Sequence, residues 1–121
     1  MMAQQPTQTW SFYEGCPMIN DHVSILDREW AFAIRHAART IIAKVDANNY
    51  VLITATSSVG LTVVDATDFL MKEFDPEWAY DLDGGPSSAL LCRNVGKKTL
   101  KVLYGGKSKD ADVMGFVEYS E

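Results

Sequence analysis

The stretch Thr40-Ile41-Ile42-Ala43-Lys44-Val45-Asp46-Ala47-Asn48-Asn49-Tyr50-Val51-Leu52-Ile53-Thr54 decides the fold class. Two runs rich in β-branched and aromatic residues flank four residues of turn type. Val, Ile and Thr are stiff at χ1 and pack well on a pleated surface. Asp and Asn reverse the chain by hydrogen bonding to their own neighbouring backbone. The reading is a β-hairpin, and the rest of the chain must be arranged around it.

Toward the N-terminus, Met18 to Leu26 carries the turn pair Asn20-Asp21 between apolar residues and reads as a short strand or hairpin. From Asp27 to Arg39, apolar Trp30, Ala33, Ile34 and Ala37 recur at helical spacing, which predicts a helix with Asp27 as its N-cap. Toward the C-terminus, Thr62 with Asp65 three residues on is a variant of the capping box. Val63, Ala66, Leu70, Met71 and Phe74 then form an apolar stripe. Asp75-Pro76 ends that helix, since the residue before proline is pushed out of the α region. Strands are expected at Trp78 to Leu82, Ala89 to Arg93, Thr99 to Tyr104 and Val113 to Tyr119. The fold class that follows is α+β, a mostly antiparallel mixed sheet packed with one or two helices in a single domain. Residues 1–14 read as an N-terminal extension and 15–121 as the domain. Trp10, Phe12 and Tyr13 anchor the extension, and Trp30 and Trp78 are expected to face the core.

A chain of 121 residues supports one hydrophobic core. With 47% hydrophobic and 22% charged residues it has the balance of an ordinary globular protein. The formal charge of −5 opposes binding to a nucleic-acid polymer or an anionic membrane, both of which are gripped by excess Lys and Arg. That surplus is local. Residues 61–93 hold seven acids and two bases, whereas residues 94–121 hold four acids and five lysines. Cys16 and Cys92 lack the spacing of a disulfide framework or a zinc site. No export signal precedes the first element, so the expected setting is intracellular with reduced thiols, the host cytoplasm if the chain is virus-encoded.

The segment Asp81-Leu82-Asp83-Gly84-Gly85-Pro86-Ser87-Ser88 carries the chemistry. Its glycines allow positive φ and close approach to a ligand, and its amides and the Ser87 and Ser88 hydroxyls are donors. Asp83, at a strand end, is suited to orient a hydroxyl or to transfer a proton. The segment lacks the Gly-Lys-Ser/Thr ending of a P-loop and is not a G-x-S-x-G elbow, and a capped tight turn is an equal reading of it. His22 and His36 have no spacing that pairs them with a nucleophile, and the acids from Asp65 to Glu77 read as a solvated helix face.

Gly60-Leu61-Thr62, the helix after it and the Leu82-Asp83-Gly84-Gly85-x-Ser87-Ser88 loop together resemble the phosphodiester glycosidase family. Gly15-Cys16-Pro17-Met18-Ile19, Ala38-Arg39-Thr40-Ile41-Ile42 and Val113-Met114-Gly115-Phe116 are similar to further family segments in the same order. The sequence departs from the pattern at Ala38, Asp81 and Pro86, at Ala55-Thr56-Ser57-Ser58, and before the last strand, where Lys107 and Lys109 stand nearest to an expected Arg. The family's N-terminal portion has no counterpart here.

The resemblance implies cleavage of a sugar-phosphate or nucleotide-like molecule, with Asp83 as the catalytic carboxylate. It implies ligand contacts from Arg39, Thr40, Gly84, Gly85, Ser87, Ser88, Lys107 and Lys109, with no metal and no cofactor. From its position alone, Arg39 reads equally as a surface residue at a helix C-terminus. A non-catalytic module that sequesters a phosphorylated small molecule is the alternative to an enzyme. The shortened domain would expose sheet edges, so a homo-oligomer is expected.

Overall fold

A computed structural model describes residues 15–93, 96, 98 and 101–105. Over these the chain forms an α+β fold with one larger and one smaller antiparallel sheet. In the larger, strands β1 (Cys16–Asn20), β2 (Val23–Ser24), β3 (Arg39–Lys44), β4 (Tyr50–Ala55) and β5 (Trp78–Asp81) lie in the order β2-β1-β5-β3-β4. In the smaller, β6 (Leu90–Cys92) pairs with β7 (Lys101–Tyr104). The expected strand at Val113 to Tyr119 and the aromatic residues Trp10, Phe12 and Tyr13 lie outside the described residues.

The hairpin forms as the sequence dictates. β3 and β4 pair in unbroken register from Arg39 opposite Ala55 to Lys44 opposite Tyr50. Asp46 closes the turn by accepting from the Asn48 amide at 2.9 Å and from the Asn49 side chain. Between β1 and β2, Asp21 and His22 take φ of 50° and 62°, the left-handed geometry that a tight hairpin turn demands.

Helix α2 (Val63–Glu73) also matches expectation. Thr62 Oγ1 accepts from the Asp65 amide at 2.9 Å and satisfies one of the donors left free at the helix start. Val63, Ala66 and Leu70 are buried against Met18, Ile41, Ala43 and Ala79 of the sheet. The stripe is narrower than its spacing implies, for Phe74 remains 40% exposed.

The helix expected from Asp27 to Arg39 is corrected to α1, the four residues Ala31–Ile34. Asp27 caps a turn instead, accepting from the Glu29 amide at 3.0 Å. Extension stops because the carbonyls that would continue the helix are taken: Arg39 Nη2 donates to the oxygens of Phe32 and Arg35 at 2.9 and 2.8 Å. Ala37 then bridges Leu61, and Arg39 opens β3. Trp30, expected in the core, is 45% exposed and lies against the Phe32 ring.

β3 is buried on both faces, as the middle of a sheet requires. Ile41 and Ala43 meet the helices, while Ile42 is buried on the opposite face. No helix among the described residues is long and apolar enough to cross a membrane.

Candidate functional site

The loop from Leu82 to Ser88 leaves the end of β5 and folds back over the start of β3. The Leu82 amide donates to the Thr40 carbonyl at 2.8 Å, and the Gly85 amide donates to the Ala38 carbonyl at 3.0 Å. Gly84 crosses so closely that a Cβ there would stand 2.8 Å from the Ala38 oxygen. Gly85 has a φ of 58° and opens a single 3-10 turn, Gly85–Ser87. Both glycines are thus demanded by backbone geometry, one by proximity and the other by handedness.

The turn consumes donors that the sequence left free. The Ser87 and Ser88 amides donate to the Gly84 and Gly85 carbonyls at 3.2 Å each. With Leu82 committed to Thr40 and Gly85 to Ala38, four of the loop's amides are engaged within the protein. Its outward chemistry therefore rests on side chains. Asp83 is exposed and its carboxylate has no hydrogen-bond partner among the described residues, while the Ser87 residue is half-buried. Beneath them, Thr40 Oγ1 and Ser88 Oγ are buried hydroxyls without a partner among the described residues. A buried hydroxyl left unpaired carries a desolvation cost, which a ligand or ordered water relieves.

Arg39 and Asp81 form the buried base of the site. Their side chains are 1% and 0% exposed, and Nη1 stands 3.2 Å from Asp81 Oδ2. Arg39 Nε donates to the Leu61 carbonyl at 3.1 Å, and the guanidinium carbon lies 4.4 Å from the centre of the Phe32 ring. The surface reading of Arg39 is therefore corrected: it is a hub joining β3, α1, the start of α2 and β5. Four hydrogen bonds occupy a group that has five N–H donors.

Burial raises Asp81 to a pKa of about 6 against the pull of Arg39, and the nearby charge of Asp83 adds to the rise. Its second oxygen, Oδ1, has no partner among the described residues. Cys16 faces Asp81 across the β1–β5 register. Burial and then the Asp81 charge push its thiol up to about 11, with Arg39 opposing. Cys16 is thus a protonated, buried thiol at neutral pH, far from the low-pKa environment of a nucleophile.

The loop's backbone bonds to Ala38 and Thr40 place Asp83, Gly84, Gly85, Ser87 and Ser88 at the start of β3, where strand alternation turns Arg39 to the helix face and Thr40 to the opposite one. Lys107 and Lys109 lie outside the described residues. Sequence reasoning missed Asp81 as the partner of Arg39. Strand alternation held the clue, because Ala79 and Asp81 share one face of β5, and a carboxylate on a core-facing position requires a counter-charge. No group of three or more His, Cys, Asp or Glu residues gathers to hold a metal ion among the described residues.

A model of the phosphodiester glycosidase family matches residues 5–117. No curated protein and no solved structure matches the chain.

Proposed function

The chain belongs to the phosphodiester glycosidase family, and on that premise we propose that it hydrolyses a glycosidic bond to phosphate in a sugar-phosphate or nucleotide-like small molecule. The observation that carries this reading is the placement of Asp83, an exposed carboxylate two residues beyond β5 in a loop held down on Ala38. In this reading Asp83 takes a proton from water as the water oxygen bonds to the anomeric carbon. The bond from that carbon to the phosphate oxygen breaks, and the phosphate leaves with the electron pair. Thr40, Ser87 and Ser88 orient the sugar or phosphate oxygens, Gly84 lets the loop lie against Ala38, and Gly85, with open space where a Cβ would stand, lets the ligand approach the backbone. Lys107 and Lys109, outside the described residues, are the cations that the resemblance offers to the phosphate.

Two observations favour a second reading, a module that binds and sequesters a phosphorylated small molecule without cleaving it. Arg39, which the resemblance assigns to the phosphate, is buried and paired with Asp81. No described residue hydrogen-bonds Asp83 to tune it as a base.

One experiment separates the two. The protein is incubated with a panel of nucleotide-sugars, cyclic nucleotides and glycosyl phosphodiesters, then followed by native mass spectrometry and chromatography of the small molecules. Free sugar released over many turnovers supports hydrolysis. A stoichiometric bound mass without product supports sequestration, and neither signal across the panel overturns both.

A further inference from the structure

We propose that two copies of the chain pair through β4, antiparallel about a two-fold axis at Leu52, joining their five-stranded sheets into one. This inference is independent of the catalytic reading. β4 is the outer strand of its sheet among the described residues, six residues long, with no charge, no proline and no break in register. Natural edge strands are normally guarded by those very devices, because an open row of peptide groups is a template for another strand. β4 carries none of them.

The register follows from the hydrogen-bond alternation of an antiparallel ladder. The Val45 amide donates to the Asn49 carbonyl at 2.8 Å, which fixes Val51 and Ile53 as the residues whose peptide groups turn toward β3. Those of Leu52 and Thr54 turn away from it, toward the open edge. Outward groups meet outward groups wherever two of Tyr50, Leu52 and Thr54 are opposed, and the register with Leu52 opposite Leu52 of a second copy is the one that engages all three, setting Tyr50 opposite Thr54. The same register sets Val51 opposite Ile53 on the helix-facing side, a β-branched pair of the kind that stabilises sheets. No charged residue of β4 faces a like charge across the axis.

The neighbouring surface extends the complementarity. A groove of about 760 Å³ runs along β4, lined by Val51, Ile53, Leu61, Ala66, Phe69 and Phe74. Leu52, Phe69 and Phe74 are 47%, 48% and 40% exposed. A two-fold at Leu52 brings the α2 helices of both copies onto the same face of the joined sheet, so each helix helps close the other's groove. Self-pairing explains why an unguarded edge strand runs beside a groove whose lining is mostly apolar, with Asp65 its one charged residue.

Sedimentation of the full chain at 1–100 µM tests the pairing. The expected result is a species of twice the 13.4 kDa chain mass that dissociates on dilution. Leu52→Lys, at a solvent-facing position, is expected to give monomer with unchanged circular dichroism. Val102→Lys, on exposed β7, is expected to leave the dimer intact. In a Cys92→Ser background, Leu52→Cys is expected to form a disulfide between copies, since directly opposed hydrogen-bonded residues lie about 5.5 Å apart at Cα. A monomer at every concentration overturns the proposal, whether the groove is open or filled by another part of the chain. So does a dimer that survives Leu52→Lys or fails to cross-link.

Discussion

Arg39 and Asp81 meet inside the protein at 3.2 Å, on neighbouring strands and almost wholly out of water. Each makes the other tolerable there, because an isolated charge in so dry a place is far more costly than the pair. Around this contact the first helix stops, the second begins and the loop bearing Asp83 leaves the sheet.

Removing one partner should therefore be severe. Arg39→Ala leaves the Asp81 charge unpaired and strips the Phe32, Arg35 and Leu61 carbonyls of a donor. A loss of about 3–5 kcal/mol is expected in urea unfolding. A loss under about 1 kcal/mol would mean that the pair does not hold these elements together.

The pair also gives stability a dependence on pH with a definite sign. Asp81 titrates near 6 when folded, above the ordinary carboxylate value, so the folded state holds its proton more tightly than the unfolded state. The unfolded state consequently binds fewer protons between about pH 4 and pH 6, and this group's contribution to stability falls as pH rises through that window. Asp81→Asn removes the titration while keeping an acceptor for Arg39. The variant-minus-parent difference in unfolding free energy should move in the variant's favour by on the order of 2 kcal/mol between pH 4 and pH 7. A flat difference would contradict the burial of this carboxylate.

Asp83 should behave in the opposite manner. Its exposure means that Asp83→Asn leaves unfolding nearly unchanged, while turnover of whichever phosphodiester the panel identifies falls by about 10² or more. Gly84→Ala should impair the same activity, because the added methyl is directed at the Ala38 carbonyl and forces the loop to lift. Full activity in both variants would remove the loop from the site.

The cap of α2 offers a simpler measurement. Thr62→Ala deletes the acceptor for the Asp65 amide and should cost about 1 kcal/mol, whereas Thr62→Ser should restore most of it. Equal losses in the two variants would assign the effect to packing of the threonine methyl.

These expectations trace back unequally to the sequence. The β3–β4 hairpin and α2 are legible because their signals are local: alternating β-branched runs around Asp46 to Asn49, and a cap followed by a stripe at helical spacing. The helix from Asp27 to Arg39 misleads because its apolar spacing says nothing of competitors for its carbonyls, and the competitor is the side chain of its own last residue. Asp83 and the two glycines announce themselves as a motif. The roles of the loop amides do not, since they depend on Ala38 being alongside and on the 3-10 turn closing. The Arg39–Asp81 contact joins residues distant in sequence and becomes visible only once β3 and β5 are known to be neighbours.

The strand order also dictates a sequence of events in time. β3 and β4 are joined by a tight turn and close quickly, whereas β1 must find β5 across the intervening residues 21–77, and β5 must first settle against β3. Chain closure over such distances is slow, so the hairpin with α2 is the natural nucleus and β1 the late arrival. Until β5 docks, Arg39 has no counter-charge and the Asp83 loop has no shelf in Ala38. The candidate site is therefore assembled late in folding, and a chain stalled before that step would carry a formed hairpin with an open edge and an unformed Asp83 loop.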